Sequence, residues 1–269
     1  MMKHLCVDEE ARRFARRVSP VEILVSASHK FVLFVAAALS RAALSCAATA
    51  ALALGAQAET IAIIGTGNVG SALGQRFAEL GHDIVYGSRD PNRPDVRRLV
   101  AETGPTASAA TPADAARKAD IVVLALPWEV VEEVTRGLGD LAGKIVIDPT
   151  NPRRIAEDGL RDYPFEGSNA ERVQAAAPTA RVVKAFNTLG AETMLDPAVA
   201  RHPVSVPIAG DDPEAKSVVA ELVQGIGLEP VDVGPLRYAH VLEGLHYLRY
   251  NTGRLRGARI NFHFPVDPE

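Results

Sequence analysis

Six residues, Gly65-Thr66-Gly67-Asn68-Val69-Gly70, follow an apolar run at 61–64 with the spacing GxGxxG. Each glycine in such a turn removes a different obstacle to holding a phosphate. Gly65 allows the tight exit from a strand, Gly67 lets the backbone approach a pyrophosphate, and Gly70 lets the next helix pack close to the sheet. The pyrophosphate would rest on the free N–H groups and positive dipole end of a helix beginning at Asn68 and Val69. At the tip of the following strand, where an acid would hold the ribose hydroxyls, the chain reads Gly87-Ser88-Arg89. A hydroxyl and a planar guanidinium suit a 2′-phosphate, so NADP(H) is expected in preference to NAD(H). Asp90 offers Arg89 another partner as a surface ion pair, and Arg93 is a second phosphate candidate.

Later strand ends carry the other candidates. Leu126, Pro127 and Trp128 close the apolar run 121–126 and are expected to border the cofactor, although Trp128 suits the core equally well. In Asp148-Pro149-Thr150-Asn151-Pro152 the two prolines stiffen a loop. There Thr150 and Asn151 either bond the ribose or carboxamide or build a turn. Phe186, Asn187 and Thr188 stand at the mouth of a further strand. Hydride transfer between two stacked rings needs positioning rather than an acid or base, so no catalytic residue is required. A carbonyl or imine acceptor would need a proton donor, drawn from Tyr238, His240, His246 and Tyr247; no spacing ties any of them to a partner acid. A non-catalytic NADP(H)-binding module is the third alternative.

These residues have to be positioned by alternating strands and helices. Strands are expected at 61–64, 84–86, 106–108, 121–126, 144–147, 181–185, 204–209 and 228–233. Helices are expected at 68–80, 112–118, 129–138, 170–176, 213–226 and 236–250. Alternation at 260–264 suggests an added edge strand or an oligomer contact. The fold class is α/β: a Rossmann-type doubly wound parallel sheet with a small C-terminal extension. Residues 59–190 would form the NADP-binding domain and 191–269 a smaller portion closing the cleft.

Residues 1–58 read as a leader. Paired arginines at 12–13 and 16–17 precede the apolar segment 42–54, and Gly55-Ala56-Gln57-Ala58 ends it like a cleavage site. A periplasmic or secreted protein is expected if that leader is used, and a cytoplasmic one otherwise. Both cysteines, Cys6 and Cys46, lie within it, so the remainder has no thiol to ligate a metal, and no metal site is expected. The chain has 269 residues, is 47% hydrophobic and carries a net charge of −4. With no basic stripe or aromatic-interleaved cluster, nucleic acid is not an expected partner; a small-molecule hydride acceptor is.

GTGNVGSALGQRFAELGHDIVYGSRDP, ADIVVLALPWEVVEEV, KIVIDPTNP and RVVKAFNTLG together resemble the NADPH-dependent reductases of the 8-hydroxy-5-deazaflavin coenzyme (coenzyme F-420). These are relatives of the N-terminal domain of pyrroline-5-carboxylate reductases. The resemblance spans about 60–245 and implies a Rossmann domain with a small C-terminal portion, often as a homodimer. By it, Thr66, Asn68, Val69, Ser88 and Arg89 would hold the 2′-phosphate and pyrophosphate. Leu126, Pro127 and Asn151 would line the nicotinamide side, and Phe186, Asn187 and Thr188 would face the acceptor, a deazaflavin coenzyme as co-substrate. The leader and the stretch after Leu245 depart from the pattern.

Overall fold

The computed structural model describes residues 58–258 and 260–265. Apart from Ala58, the expected leader lies outside the described residues. Apolar runs become strands β1 (Thr60–Ile64), β2 (Asp83–Gly87), β3 (Ala107–Ala110), β4 (Ile121–Leu124) and β5 (Ile145–Asp148). A short antiparallel hairpin follows, β6 (Arg154–Ile155) and β7 (Arg161–Asp162), then β8 (Arg181–Lys184), β9 (Ser205–Gly210) and β10 (Glu229–Asp232). The main sheet runs β10-β9-β8-β5-β4-β1-β2-β3. Every neighbouring pair in it is parallel except β8 and β9. The order outward from β1 reverses between β2 and β4, which makes the carboxyl ends of β1 and β4 the switch point of a Rossmann-type sheet.

Two layers of helices bury its faces. Because alternate strand residues point to opposite sides, Ile61 and Ile63 enter one core cluster with Leu73 and Phe77, while Ala62 and Ile64 enter the other with Val131 and Val173. Helix α1 (Asn68–Glu79) presents Leu73 and Phe77 four residues apart, both fully buried, and the chain leaves it through Gly81 at φ +94°. Helix α2 (Pro94–Thr103), absent from the sequence expectation, buries only Val96 and Leu99. Helices α3 (Pro112–Lys118) and α4 (Trp128–Arg136) flank β4, and α5 (Asn169–Ala176) starts at a capping box between Ser168 and Glu171. The short α6 (Ala191–Leu195) packs on α1, and α7 (Pro213–Gly225) covers β9 and β10.

The last helix, α8 (Ala239–Arg256), follows a 3₁₀ turn at Leu236–Tyr238 and runs past the expected end near Tyr250 to Gly257, which takes the left-handed conformation at φ 61°. The alternating tail makes no strand. Phe262 O accepts from Ser205 N at 2.9 Å, but Phe264 N donates to the Ser205 hydroxyl at 2.8 Å, so side chain replaces ladder after one bond. Strands β9 and β10 thus extend the main sheet, and Ala58–Glu269 clusters as one compact unit.

Candidate cofactor and acceptor site

The glycine turn lies where β1 and β4 come closest. Gly65 sits at φ +113°, and a Cβ there would stand 2.2 Å from the Ala125 carbonyl oxygen, so only glycine lets the two loops meet. A Cβ on Gly70 would stand 2.1 Å from the oxygen of Gly65 itself, which is how α1 packs so near the strand end. Gly67 differs from both. A Cβ on it would meet nothing within 4 Å, so its open side faces space. Gly67 is also the N-cap of α1, with no side-chain cap and no acid in the first turn, which leaves the first amides and the positive helix end free for an anion.

Beside this turn is a cavity of about 440 Å³, lined by Gly65, Thr66, Ser88, Arg89, Leu126 and Pro127, with Arg93 and apolar Val130 and Val134. Ser88 is buried, and its hydroxyl donates to the Asp90 carbonyl at 3.0 Å. Asp90 spends its carboxylate on the Asn92 N–H at 3.0 Å. Arg89 stays exposed, with neither hydrogen bond nor ion pair among the described residues, so the Arg89–Asp90 pair is not formed. Arg93 pairs with Asp95 at 2.6 Å and reaches Thr66 Oγ1 at 3.5 Å across the mouth. An uncapped helix end and an open glycine, beside a cavity lined by an unpaired guanidinium, fit a phosphorylated dinucleotide.

The next two strand ends form a second cluster. Asn151 Nδ2 donates to the Asn187 carbonyl at 2.9 Å, while Asn187 Nδ2 donates to Asn151 Oδ1 and to Leu242 O, each at 2.9 Å. Phe186 occupies the left-handed region at φ 61°, unusual for a bulky residue, with its ring 6.1 Å from Phe77; Thr188 is buried two residues on. Trp128, at the start of α4, lies outside the cavity lining. Its ring is 5.9 Å from Phe165, and its buried indole N–H has no protein partner.

Sequence reasoning missed the charges beneath this cluster. Lys184, at the end of β8 and fully buried, reaches Asp148 at 3.0 Å and Glu243 at 2.7 Å and also donates to Thr150 O. Burial disfavours its charge, but the two carboxylates outweigh that and raise its pKa. Asp148 Oδ1 accepts from the amide and hydroxyl of Thr150 at 2.9 and 2.6 Å, so this loop is built on Asx chemistry. Glu243 accepts from the Asn169 and Ala170 amides at the start of α5 and from the Tyr163 hydroxyl. Helix α8 is thereby tied to β5, β8 and α5, and fixes Asn187 through Leu242.

Comparison with known proteins places this architecture. Residues 60–152 match the family model described as NADP oxidoreductase coenzyme F420-dependent. The F420-dependent NADP reductase of Methanothermobacter thermautotrophicus is 32% identical over 74% of this chain and 93% of its own length. The chain belongs to the F420-dependent NADP reductase family. It is thus an NADP-dependent oxidoreductase. A crystal structure of a putative F420-dependent NADP-reductase from an Arthrobacter species agrees, at 31% identity and TM-score 0.70, covering 78% of this chain and all of the other. Metalloreductase STEAP3 of Rattus norvegicus is 30% identical over 70% of this chain, a match that takes up 36% of that protein.

Within this family member the four candidate proton donors scatter. Tyr238 lines an apolar hollow with Pro207, Val241 and Phe264, and exposed His240 bonds its own turn at Arg237 O. Tyr247 donates to the Pro152 carbonyl, beside Asn151, and burial raises its pKa. His246 accepts from Arg161 through Nε2; burial, then the nearby cations, push it down to about 3. None of the four lines the cavity beside the glycine turn.

Proposed function

We propose that this oxidoreductase passes a hydride between NADP(H) and a deazaflavin coenzyme, the acceptor stacking against the residues around Asn151 and Phe186-Asn187-Thr188. The observation that carries the reading is the match along almost the whole length of an F420-dependent NADP reductase. Bound NADPH would supply the hydride. The amides of Asn68 and Val69 would hold the pyrophosphate, and Ser88 and Arg89, with Thr66, the 2′-phosphate. Leu126 and Pro127 would flank the cofactor, and the mutual bonds of Asn151 and Asn187 fix the far end of the cleft. In this reading the protein aligns two rings and excludes water, and no side chain exchanges a proton with the acceptor. A homodimer belongs to the same proposal.

The test mixes protein, NADPH and the oxidised deazaflavin coenzyme and follows both absorbances. Concerted loss of the two signals is expected; binding of NADPH with no loss would sink the acceptor assignment. Arg89→Ala should weaken NADPH binding about 10-fold or more, as expected on losing a charge-assisted contact worth about 1.5–3 kcal/mol, and leave NADH binding unchanged.

A further inference from the structure

Arg161 opens β7 and is held by three residues of α8. Its amide donates to Asn251 Oδ1 at 2.8 Å and its carbonyl accepts from Asn251 Nδ2 at 3.1 Å. The guanidinium carbon lies 3.3 Å over the ring of Tyr250, and one nitrogen donates to His246 Nε2. No carboxylate pairs with it among the described residues, and its buried Nε–H has no partner. Three other partly or fully buried cations have carboxylates: Lys184 has two, Lys216 has Asp232, and Arg76 has Glu79. The strongest charge acting on Arg161 from another cation is that of Arg153, which adds repulsion. Partly desolvated charges are ordinarily compensated, so a half-buried guanidinium without a carboxylate lacks an anion.

The place of this group gives the anion a source. Arg153 is two residues from Asn151, and the residue between them, Pro152, accepts from the Tyr247 hydroxyl. Tyr247 packs on His246 at 6.0 Å, and His246 holds Arg161. A chain of contacts therefore runs from the acceptor end of the cleft to the unpaired guanidinium. We propose that Arg161, supported by Arg153, receives a phosphate or carboxylate group carried by the hydride acceptor, and so selects acceptors with an anionic side chain. Planar, stacked and pre-oriented by three contacts, Arg161 is suited to bind such an oxyanion with little loss of side-chain entropy.

This inference rests on the acceptor position proposed above, and two measurements separate their failures. In the first, the full chain is saturated with NADP⁺, which fills the phosphate sites at the glycine turn, and inorganic phosphate is then titrated calorimetrically at low ionic strength. A binding event is expected that weakens at least tenfold in Arg161→Gln and recovers in part in Arg161→Lys, with NADP⁺ affinity unchanged as the sign of an intact fold. Equal phosphate binding in wild type and Arg161→Gln, or none in either, overturns the site. Should Arg161→Gln lose NADP⁺ as well, Arg153→Gln takes its place under the same criteria. In the second, turnover of the deazaflavin coenzyme, which has an anionic side chain, is compared with that of 8-hydroxy-5-deazariboflavin, which lacks it. Arg161→Gln should raise KM for the first about tenfold with little change in kcat and leave the second unaltered; equal shifts on both contradict the assignment. Should neither compound take hydride, the proposed acceptor falls while the phosphate titration still decides Arg161.

Discussion

Lys184 joins elements that lie far apart in the chain. Its two carboxylates come from β5 and α8, and all three groups are fully buried. Replacing it by Met leaves Asp148 and Glu243 with uncompensated charge, and breaking such a buried pair typically costs about 3–5 kcal/mol. Lys184→Met should therefore lower the unfolding free energy from urea titration by that much at pH 7; a loss under about 1 kcal/mol would show that the carboxylates find other partners. Part of this network was legible beforehand, because Lys184 and Asp148 end apolar runs, Arg-Val-Val-Lys and Ile-Val-Ile-Asp, where charge is out of place. Glu243 carried no such signal. It lies in a mixed helix, and only the fold brings it to a lysine 59 positions earlier. Arg89 was the easier case, since its place beside the cavity follows from its position at a strand tip.

Among the elements, α1 shows most directly how packing positions the cleft. A methyl on Gly70 would fall 2.1 Å from a backbone oxygen of the turn it follows, and backbone has little room to yield. Gly70→Ala should push the helix N-terminus away from β1, weakening NADPH at least tenfold and lowering the thermal midpoint; unchanged affinity would show that the turn tolerates the shift. All eight main-sheet strands and the GxGxxG helix were legible, most of the strands because buried parallel strands read as unbroken hydrophobic stretches. Helix α2 escaped notice because only two of its ten residues are buried, which leaves no apolar stripe to detect. The hairpin β6–β7 has two-residue strands, too short for a period to show. The alternation at 260–264 makes no ladder, because after one backbone bond the Ser205 hydroxyl takes the place of the next.

Across the whole molecule, stability should depend on acidity through His246. Its folded pKa is depressed to about 3 from an ordinary 6.5, so the unfolded chain binds the extra proton first. The contribution is complete above about pH 6.5 and declines as pH falls toward 3, at no more than about 1.4 kcal/mol per pH unit. Denaturation midpoints measured between pH 7 and 4 should show this slope, and His246→Asn should flatten it; an unchanged slope would assign the acid sensitivity to other groups. The same C-terminal helix has a consequence for biosynthesis. Strands β5 and β8 carry an aspartate and a lysine into the core, whereas the glutamate that completes their charge balance is made 59 residues after the lysine. A nascent chain halted before residue 243 would hold an unfinished core, with the start of α5 and the Asn187 side chain also lacking their partners. Final consolidation of the cluster around Asn187 therefore waits on synthesis of α8, and a product terminated before it is open to proteolysis at that place.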